Sequence, residues 1–331
     1  MQRKEFFIGI DVSKETLDVS VSGTKSHIRI TNGSSGFKQL LTWLQSLNME
    51  LSACWFVFEY TGGYEYKLVQ FCSTKEIAFT RFAGLEIKRS LGIQRGKNDK
   101  IDSKRIADYG YEKREKLSHH SAESAVIIRI KQFLTQRSGF IKERKANEHR
   151  MKELMAMMDF DKADPLIDSY HIAAEFARKM TAKTEEYIMQ EINKDEQIKS
   201  TFQLLTSIPG IGPVNALMAI AYTENFKRFT NGRKFGSYCG VVPFDHSSGK
   251  SIRGKSRVNH MANKEIKATL SMAARAAMAY NPEMKLYYQR RKEMGKHPMS
   301  IINEIRFKLI LRMFAVVKKQ KVYVDNYKNA A

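Results

Sequence analysis

Residues 5–21 read EFFIGIDVSKETLDVSV. Phe6 to Ile10 form an apolar run that stops at an acid, Asp11, the pattern of a short strand with a carboxylate at its end. After a polar turn, Thr16–Gly23 alternates apolar and polar, and Ser26–Asn32 alternates again. Gly23 and Asn32-Gly33 supply the turns. Three short antiparallel strands are therefore expected before residue 33. Working outward, SGFKQLLTWLQSL (35–47) has helical spacing, and CWFVFE (54–59) is a buried-strand pattern ending in a second acid, Glu59. A Gly62-Gly63 turn leads into a helix through YKLVQFC, IAFTRFAG (77–84) is a fifth strand, and the residues from Asp102 onward, SKRIADYGYEK, read as a helix. Three antiparallel strands followed by alternating helix and strand predict a mixed α/β sheet.

The rest of the chain reads as helical. Residues 122–158 are long, charged and helical in character, with Ile127, Leu134, Ile141 and Met155 in one heptad position and Glu148 interrupting the seam. This predicts one arm of a helical hairpin or coiled coil, ended by Pro165, with a second arm from about Tyr170 to Leu205. Two further helices are expected at 262–280 and 300–320, with Asn281-Pro282 as a separator. The predicted division is 1–118 as the sheet domain, 119–199 as the arm, and 200–325 as a mainly helical C-terminal domain. The fold class is α/β followed by α.

Of 331 residues, 56 are Lys or Arg and 35 are Asp or Glu, a net charge of +21. Such an excess points to a polyanionic partner, because cationic side chains gain by releasing condensed counterions. An anionic membrane is the competing partner. Against it stand the lack of a lipidation motif and of any apolar run of the roughly 20 residues that span a bilayer. The start shows no cleavable signal pattern. Cys54, Cys72 and Cys239 are scattered without pairing or metal spacing and read as buried thiols in a reducing compartment. The expectation is a cytoplasmic protein in contact with nucleic acid.

Two aspartates, Asp99 and Asp102, stand inside the basic stretch RGKNDKIDSKR (95–105). Spaced i, i+3 at a helix start, they share one face. With Asp11 and Glu59 at strand ends, they form an ordered set of four carboxylates that can converge at one sheet edge. Such a set repels itself unless a divalent cation lies between its members. Mg2+ suits it, with Mn2+ as the alternative, because it takes oxygen ligands and bridges to substrate phosphate. Lys97, Lys100, Lys104 and Arg105 would then grip flanking phosphates. For each acid alone the plainer role is a turn or capping residue.

Two more stretches bear on phosphate. In SIPGIGPVNALMAIAY (207–222), Gly210 and Gly212 form a tight turn into an apolar helix, the chemistry a helix–hairpin–helix uses to bring backbone N–H groups to a DNA phosphate. The plainer reading is a turn before a core helix. VVPFDHSSGKSIRGKSR (241–257) reads as a polar loop. Its Gly249 permits close approach, and Lys250, Arg253, Lys255 and Arg257 suit a phosphate. Ser247, Ser248, Ser251 and Ser256 are turn or contact residues unless a base or metal activates one, with His246 and His260 as candidate helpers.

The quoted motifs FIGIDVSKETLDVSV, FEYTGGY, KNDKIDSKRIADY, SIPGIGPVNALMAIAY and FGSYCGVVPFDHSSGKSIRGKSR resemble, over essentially the full length, the insertion-sequence transposases with a DEDD motif, relatives of the pilin-gene DNA invertase. The resemblance implies a ribonuclease-H-like first domain of the RuvC type. It puts the four metal-binding acids on Asp11, Glu59, Asp99 and Asp102. It also implies a serine nucleophile, which ungapped counting from Ser251-Ile252-Arg253-Gly254 places on Ser248, with Ser247 and Ser251 as neighbouring choices. One departure is visible: Ser103 stands where the family usually has alanine after the second aspartate.

The same resemblance implies a Mg2+-dependent recombinase of a mobile element that acts on donor and target double-stranded DNA through a covalent phosphoserine. A guide (bridge) RNA would supply sequence choice, and the helical arms would assemble dimers into a tetramer. The acids of the first domain and the serine of the second are expected to meet across subunits. Two rivals stay open. One is a metal-dependent Holliday-junction resolvase-like nuclease using water as nucleophile. The other is a non-enzymatic nucleic-acid-binding protein whose acids only balance charge.

Overall fold

A computed structural model describes residues 5–90, 98–158, 160–248, 252–258 and 262–325, with the backbone alone described for 244–248 and 252–257. The chain forms two compact units, Met1–Ala122 and Glu123–Ala331. The arm expected over 119–199 and the segment 200–325 thus fall almost wholly within one unit.

In the first unit the strands are β1 (Phe6–Val12), β2 (Thr16–Val21), β3 (His27–Thr31), β4 (Cys54–Glu59) and β5 (Ala78–Phe82). They form one sheet in the order β3-β2-β1-β4-β5. The first three pair antiparallel, and β1, β4 and β5 run parallel. This is the mixed sheet that the strand pattern predicts. Alternation along β4 explains the two faces. Phe56 and Phe58 join Ile8, Ile10, Leu17 and Val19 in a core with Leu40 and Leu44 of α1 (Ser34–Ser46) and Leu68 and Cys72 of α2 (Tyr66–Thr74). Val57 points the other way, to Ile87 of α3 (Gly84–Ser90) and to Ile106 and Tyr109 of α4 (Asp99–Glu112).

Gly9 sets how close α4 comes. A Cβ there would lie 2.1 Å from Ala107 N and 2.2 Å from Ser103 O. The one residue without a side chain in the apolar run of β1 therefore lets a helix backbone rest on a strand backbone. Ser103 completes the contact. It is fully buried, it donates to Lys100 O at 2.9 Å, and its Oγ lies 2.8 Å from Ser20 Oγ on β2. The serine that departs from the family pattern thus has a partner in the sheet. Ser103→Ala is expected to strand the buried Ser20 hydroxyl and cost about 1–3 kcal/mol. Replacing both serines by alanine should recover most of that in a urea-unfolding double-mutant cycle. A double variant no more stable than Ser103→Ala would show that the pair does not matter.

The second unit opens with α5 (Ala125–Met157) and α6 (Pro165–Ile192). Arg129 Nε bonds Glu191 Oε1 at 2.9 Å and Arg137 Nε bonds Glu185 Oε1 at 2.7 Å, so the two helices run antiparallel. Of the heptad stripe, Ile127 and Leu134 are buried, whereas Ile141 and Met155 are only half-buried. Pro165 does not end the first helix. It opens the second at N1, where its missing N–H costs nothing, behind Asp164, whose Oδ1 accepts from Leu166 N at 2.8 Å. The second arm also stops earlier than Leu205. Asp195 caps a new helix, α7 (Glu196–Thr206), by accepting from Gln197 N and Ile198 N at 3.0 and 3.1 Å.

Beyond α7 come α8 (Pro213–Thr223), α9 (Gly232–Tyr238), α10 (Lys264–Tyr280), α11 (Pro282–Glu293) and α12 (Pro298–Lys319). Asn281-Pro282 starts a helix as well as ending one, because the Asn281 side chain accepts from Met284 N at 3.0 Å. Residues expected as a polar loop instead pair as an antiparallel ribbon, β6 (Phe244–Ser248) with β7 (Ile252–Arg257). Its strands lack apolar alternation, so the side-chain pattern carried no strand signal; main-chain pairing makes the ribbon. The apolar faces of α7, α8, α10 and α12 share one core with the buried ends of α5 and α6.

Candidate active site

Asp11 is the sixth residue of β1 and Glu59 the last of β4. The parallel register Ile10↔Phe58 puts the two acids side by side at the carboxyl ends of adjacent strands. Across the other neighbour, Asp11 is in register with Asp18 of β2. Helix α4 is capped by Asn98, whose side chain accepts from Lys100 N at 3.0 Å, and its first turn carries Asp99 and Asp102. Because Gly9 seats α4 on β1, that first turn comes to the edge where Asp11 lies. Burial and then, in order, Asp99, Asp102, Glu59 and Asp18 push the Asp11 carboxyl up to about 6. The four acids picked out from sequence therefore share one electrostatic site, joined by a fifth.

That fifth acid was missed. Asp18 is buried and held by His27 Nε2 at 2.9 Å and Arg29 Nε at 3.1 Å. Arg29 also donates from Nη2 to Asp99 Oδ2 at 2.8 Å, so one guanidinium joins β3 to the start of α4. Arg105, expected on phosphate, donates to Asp102 Oδ1 at 2.9 Å within its own helix. The signal available in sequence was an aspartate at an inward position of TLDVSV and an arginine at the matching position of HIRIT. Reading it needs the register Asp18↔Arg29.

The loops behind the acids are braced. Asn32 donates from Nδ2 to Ser13 O at 3.0 Å and to Tyr64 O at 2.9 Å, tying the turn after Asp11 to the loop after Glu59. Glu65, also buried, accepts from Thr61 Oγ1 at 2.6 Å and Gly63 N at 2.9 Å. Burial raises its carboxyl, but the Thr61 hydroxyl and the turn's N–H groups outweigh this and hold it below its ordinary range. The Glu59 carboxylate lies where a side chain on Gly84 would stand, 2.3 Å from that Cβ position.

Carboxylates are in kind the donors a hard divalent cation takes, and the repulsion felt at Asp11 is what such an ion would relieve. As placed, Asp99 and Asp102 face guanidinium groups. Among the described residues no three His, Cys, Asp or Glu side chains stand together as a ready ligand set. Of the proposed phosphate contacts, Lys100 and Lys104 are exposed on α4. Lys97 lies outside the described residues.

In the second unit Gly210 has φ +92°, and a Cβ there would lie 2.6 Å from Ala277 Cβ, so this glycine packs the turn against α10. Gly212 is exposed, caps α8 and has open space around it. Ser247 and Ser248 lie on β6, and Arg253, Lys255 and Arg257 on β7. Gly249, Lys250, Ser251 and His260 lie outside the described residues. No described helix is long and apolar enough to cross a membrane.

Comparison with known proteins bears on the family. Residues 8–158, which contain all four acids, match a DEDD-type transposase model, and residues 202–289 match the transposase IS116/IS110/IS902 family. The chain is 26% identical to the pilin gene-inverting proteins of Moraxella lacunata and Moraxella bovis, covering 96% of this chain and 97% of each relative. It is 28% identical over 121 residues to an insertion element IS110 protein of Streptomyces coelicolor, 36% of this chain and 29% of that one. With both its acidic sheet and its C-terminal segment matched, the chain belongs to the DEDD insertion-sequence transposases, enzymes that cut and rejoin DNA.

Proposed function

We propose that the protein is a site-specific recombinase of a mobile element that cuts DNA with a serine nucleophile and a divalent-metal site. The observation that supports this reading is the placement of Asp11 and Glu59 at the carboxyl ends of adjacent parallel strands, with Asp99 and Asp102 in the first turn of the helix that packs on β1; the raised Asp11 carboxyl accords with it. The sheet order with β1 central and the acids at strand ends supports a ribonuclease-H-like, RuvC-type reading of the first unit. Asp11, Glu59, Asp99 and Asp102 would hold Mg2+ or Mn2+. When bound, the ion supplies charge neutralisation for a phosphodiester. Asp18, locked by His27 and Arg29, would keep the sheet edge acidic without joining the ligands.

Ser248 is proposed to attack the phosphodiester. Its oxygen bonds phosphorus, the sugar oxygen leaves, and the serine proton goes to a base. The phosphoserine conserves the bond energy until a second sugar hydroxyl attacks, so rejoining needs no nucleotide cofactor. Lys250, Arg253, Lys255 and Arg257 are proposed to hold neighbouring phosphates, as are Lys97, Lys100 and Lys104. A guide RNA would choose donor and target by base pairing, which leaves the protein to read backbone and shape. The antiparallel α5–α6 pair would assemble dimers and a tetramer.

The test is adduct trapping. Purified protein, the noncoding RNA flanking its element, donor and target DNA, and Mg2+ are expected to yield a denaturation-resistant protein–DNA adduct that maps to Ser248. Ser248→Ala should abolish the adduct. An adduct on Ser247 or Ser251 would move the nucleophile. Cleavage without adduct, unchanged in Ser248→Ala, would instead make this a resolvase-like nuclease using water.

A further inference from the structure

Arg306 of α12 is only 5% exposed, yet among the described residues no carboxylate pairs with it. Its guanidinium donates from Nη1 to Asn303 Oδ1 at 3.1 Å, and its Nε has no acceptor. The buried acids of the first unit differ: Asp18 has His27 and Arg29, and Glu65 has Thr61 and Gly63. A buried cation left alone is strongly unfavourable, so it persists where an anion completes it.

Its neighbours add positive charge. Lys267 and Arg275 stand on α10, which packs against α12. They are eight residues apart and so on one helix face. Neither has a carboxylate partner among the described residues. Burial and then Arg306 hold the Lys267 ammonium below its ordinary range, and burial and then Arg275 do the same to Arg306. Exposure rises from Arg306 (buried) through Lys267 (half-buried) to Arg275 (exposed). A buried guanidinium that repels a cation on either side, graded from interior to surface, makes a receptor for a group with several anionic oxygens.

The receptor is wired to the ribbon. Asn303, which accepts from Arg306, donates from Nδ2 to Val241 O at 2.6 Å, and β6 with Ser248 begins three residues later. We propose that Arg306, Lys267 and Arg275 bind one backbone phosphate of the DNA strand that the ribbon engages, with Asn303 as a positioning residue between that phosphate and β6. The choice of strand rests on the reading of Ser248 as nucleophile; the phosphate receptor does not.

The experiment uses the full chain on a Ser248→Ala background and reads binding, so a wrong nucleophile leaves it intact. Affinity for a short duplex DNA and for single-stranded RNA of equal length is titrated across a salt series. Arg306→Gln is expected to weaken duplex binding roughly tenfold at fixed salt. It should reduce the log–log salt slope by about one, while the thermal midpoint holds or rises because an unpaired buried charge is gone. Arg275→Gln, a surface change that folding tolerates, should lower the slope in the same direction. Arg306→Lys should keep it. Unchanged affinity and slope in both glutamine variants would overturn the receptor. A slope lost for RNA alone would overturn the assignment to DNA. A collapsed midpoint for Arg306→Gln together with an unchanged slope for Arg275→Gln would make Arg306 a structural strut and overturn it too.

Discussion

Asp11→Asn is expected to abolish strand cleavage and, at the same time, to raise the thermal midpoint at neutral pH. The two effects share one cause. Burial and four neighbouring acids lift the Asp11 carboxyl from an ordinary 3.8 to about 6. The folded protein therefore binds a proton there more tightly than the unfolded chain, and stability falls as pH rises from about 4 to about 6. Above that window the full penalty applies, roughly 3 kcal/mol from the shift alone and roughly 1–2 kcal/mol after its partial exposure is counted. Asparagine carries no charge to repel. The variant should melt a few degrees higher at pH 7.5, equal wild type near pH 4, and lose the stabilisation that Mg2+ gives wild type. Calorimetry across pH, with and without Mg2+, checks all three. A variant less stable than wild type at pH 7.5 would show that Asp11 is a satisfied structural carboxylate. The trade of stability for function is the one expected where like charges are gathered for chemistry.

Gly9→Ala should be strongly damaging to the first unit. The new Cβ would fall 2.1 Å from Ala107 N and 2.2 Å from Ser103 O. Both are main-chain atoms of α4, so no side chain can swing aside; the helix itself must move. Overpacking costs typically 1–3 kcal/mol, and a backbone obstacle puts this site at about 3 kcal/mol or above. The urea midpoint should drop sharply. Whatever folds should also cleave poorly, because α4 carries Asp99 and Asp102. Gly139→Ala is the control. Gly139 lies within α5 with open space around it, so alanine there should stabilise by up to about 1 kcal/mol through helix propensity. Equal, small effects at both positions would mean that α4 is not clamped on β1.

Much of this was legible in one dimension because the relevant patterns are local. Alternation in TLDVSV and HIRIT, and the apolar runs FFIGI and CWFVFE, are strand signals that need no neighbour. Acids at the ends of those runs mark where strands leave the core. The i, i+3 spacing of Asp99 and Asp102 defines a helix face wherever that helix packs. Other features were legible in kind and misread in extent. Pro165 and Asn281-Pro282 were read as stops, yet both open helices, because an Asp or Asn immediately before a proline caps the helix that the proline begins.

By itself, then, the sequence determined the five strands of the sheet, the order of the four acids along the chain, the basic surplus and the family, since each rests on residue type and spacing along the chain. Tertiary structure alone decided that Asp18 is a fifth acid at the edge, that Arg29 and Arg105 neutralise Asp99 and Asp102, and that Ser103 answers Ser20. It also showed Gly210 packed on Ala277 and Arg306 buried without a counter-ion among the described residues. These are relations between groups far apart in the chain, such as Ser20 with Ser103 and Gly210 with Ala277. Charge repulsion, steric exclusion and hydrogen bonding act through distances in space, and folding sets those distances.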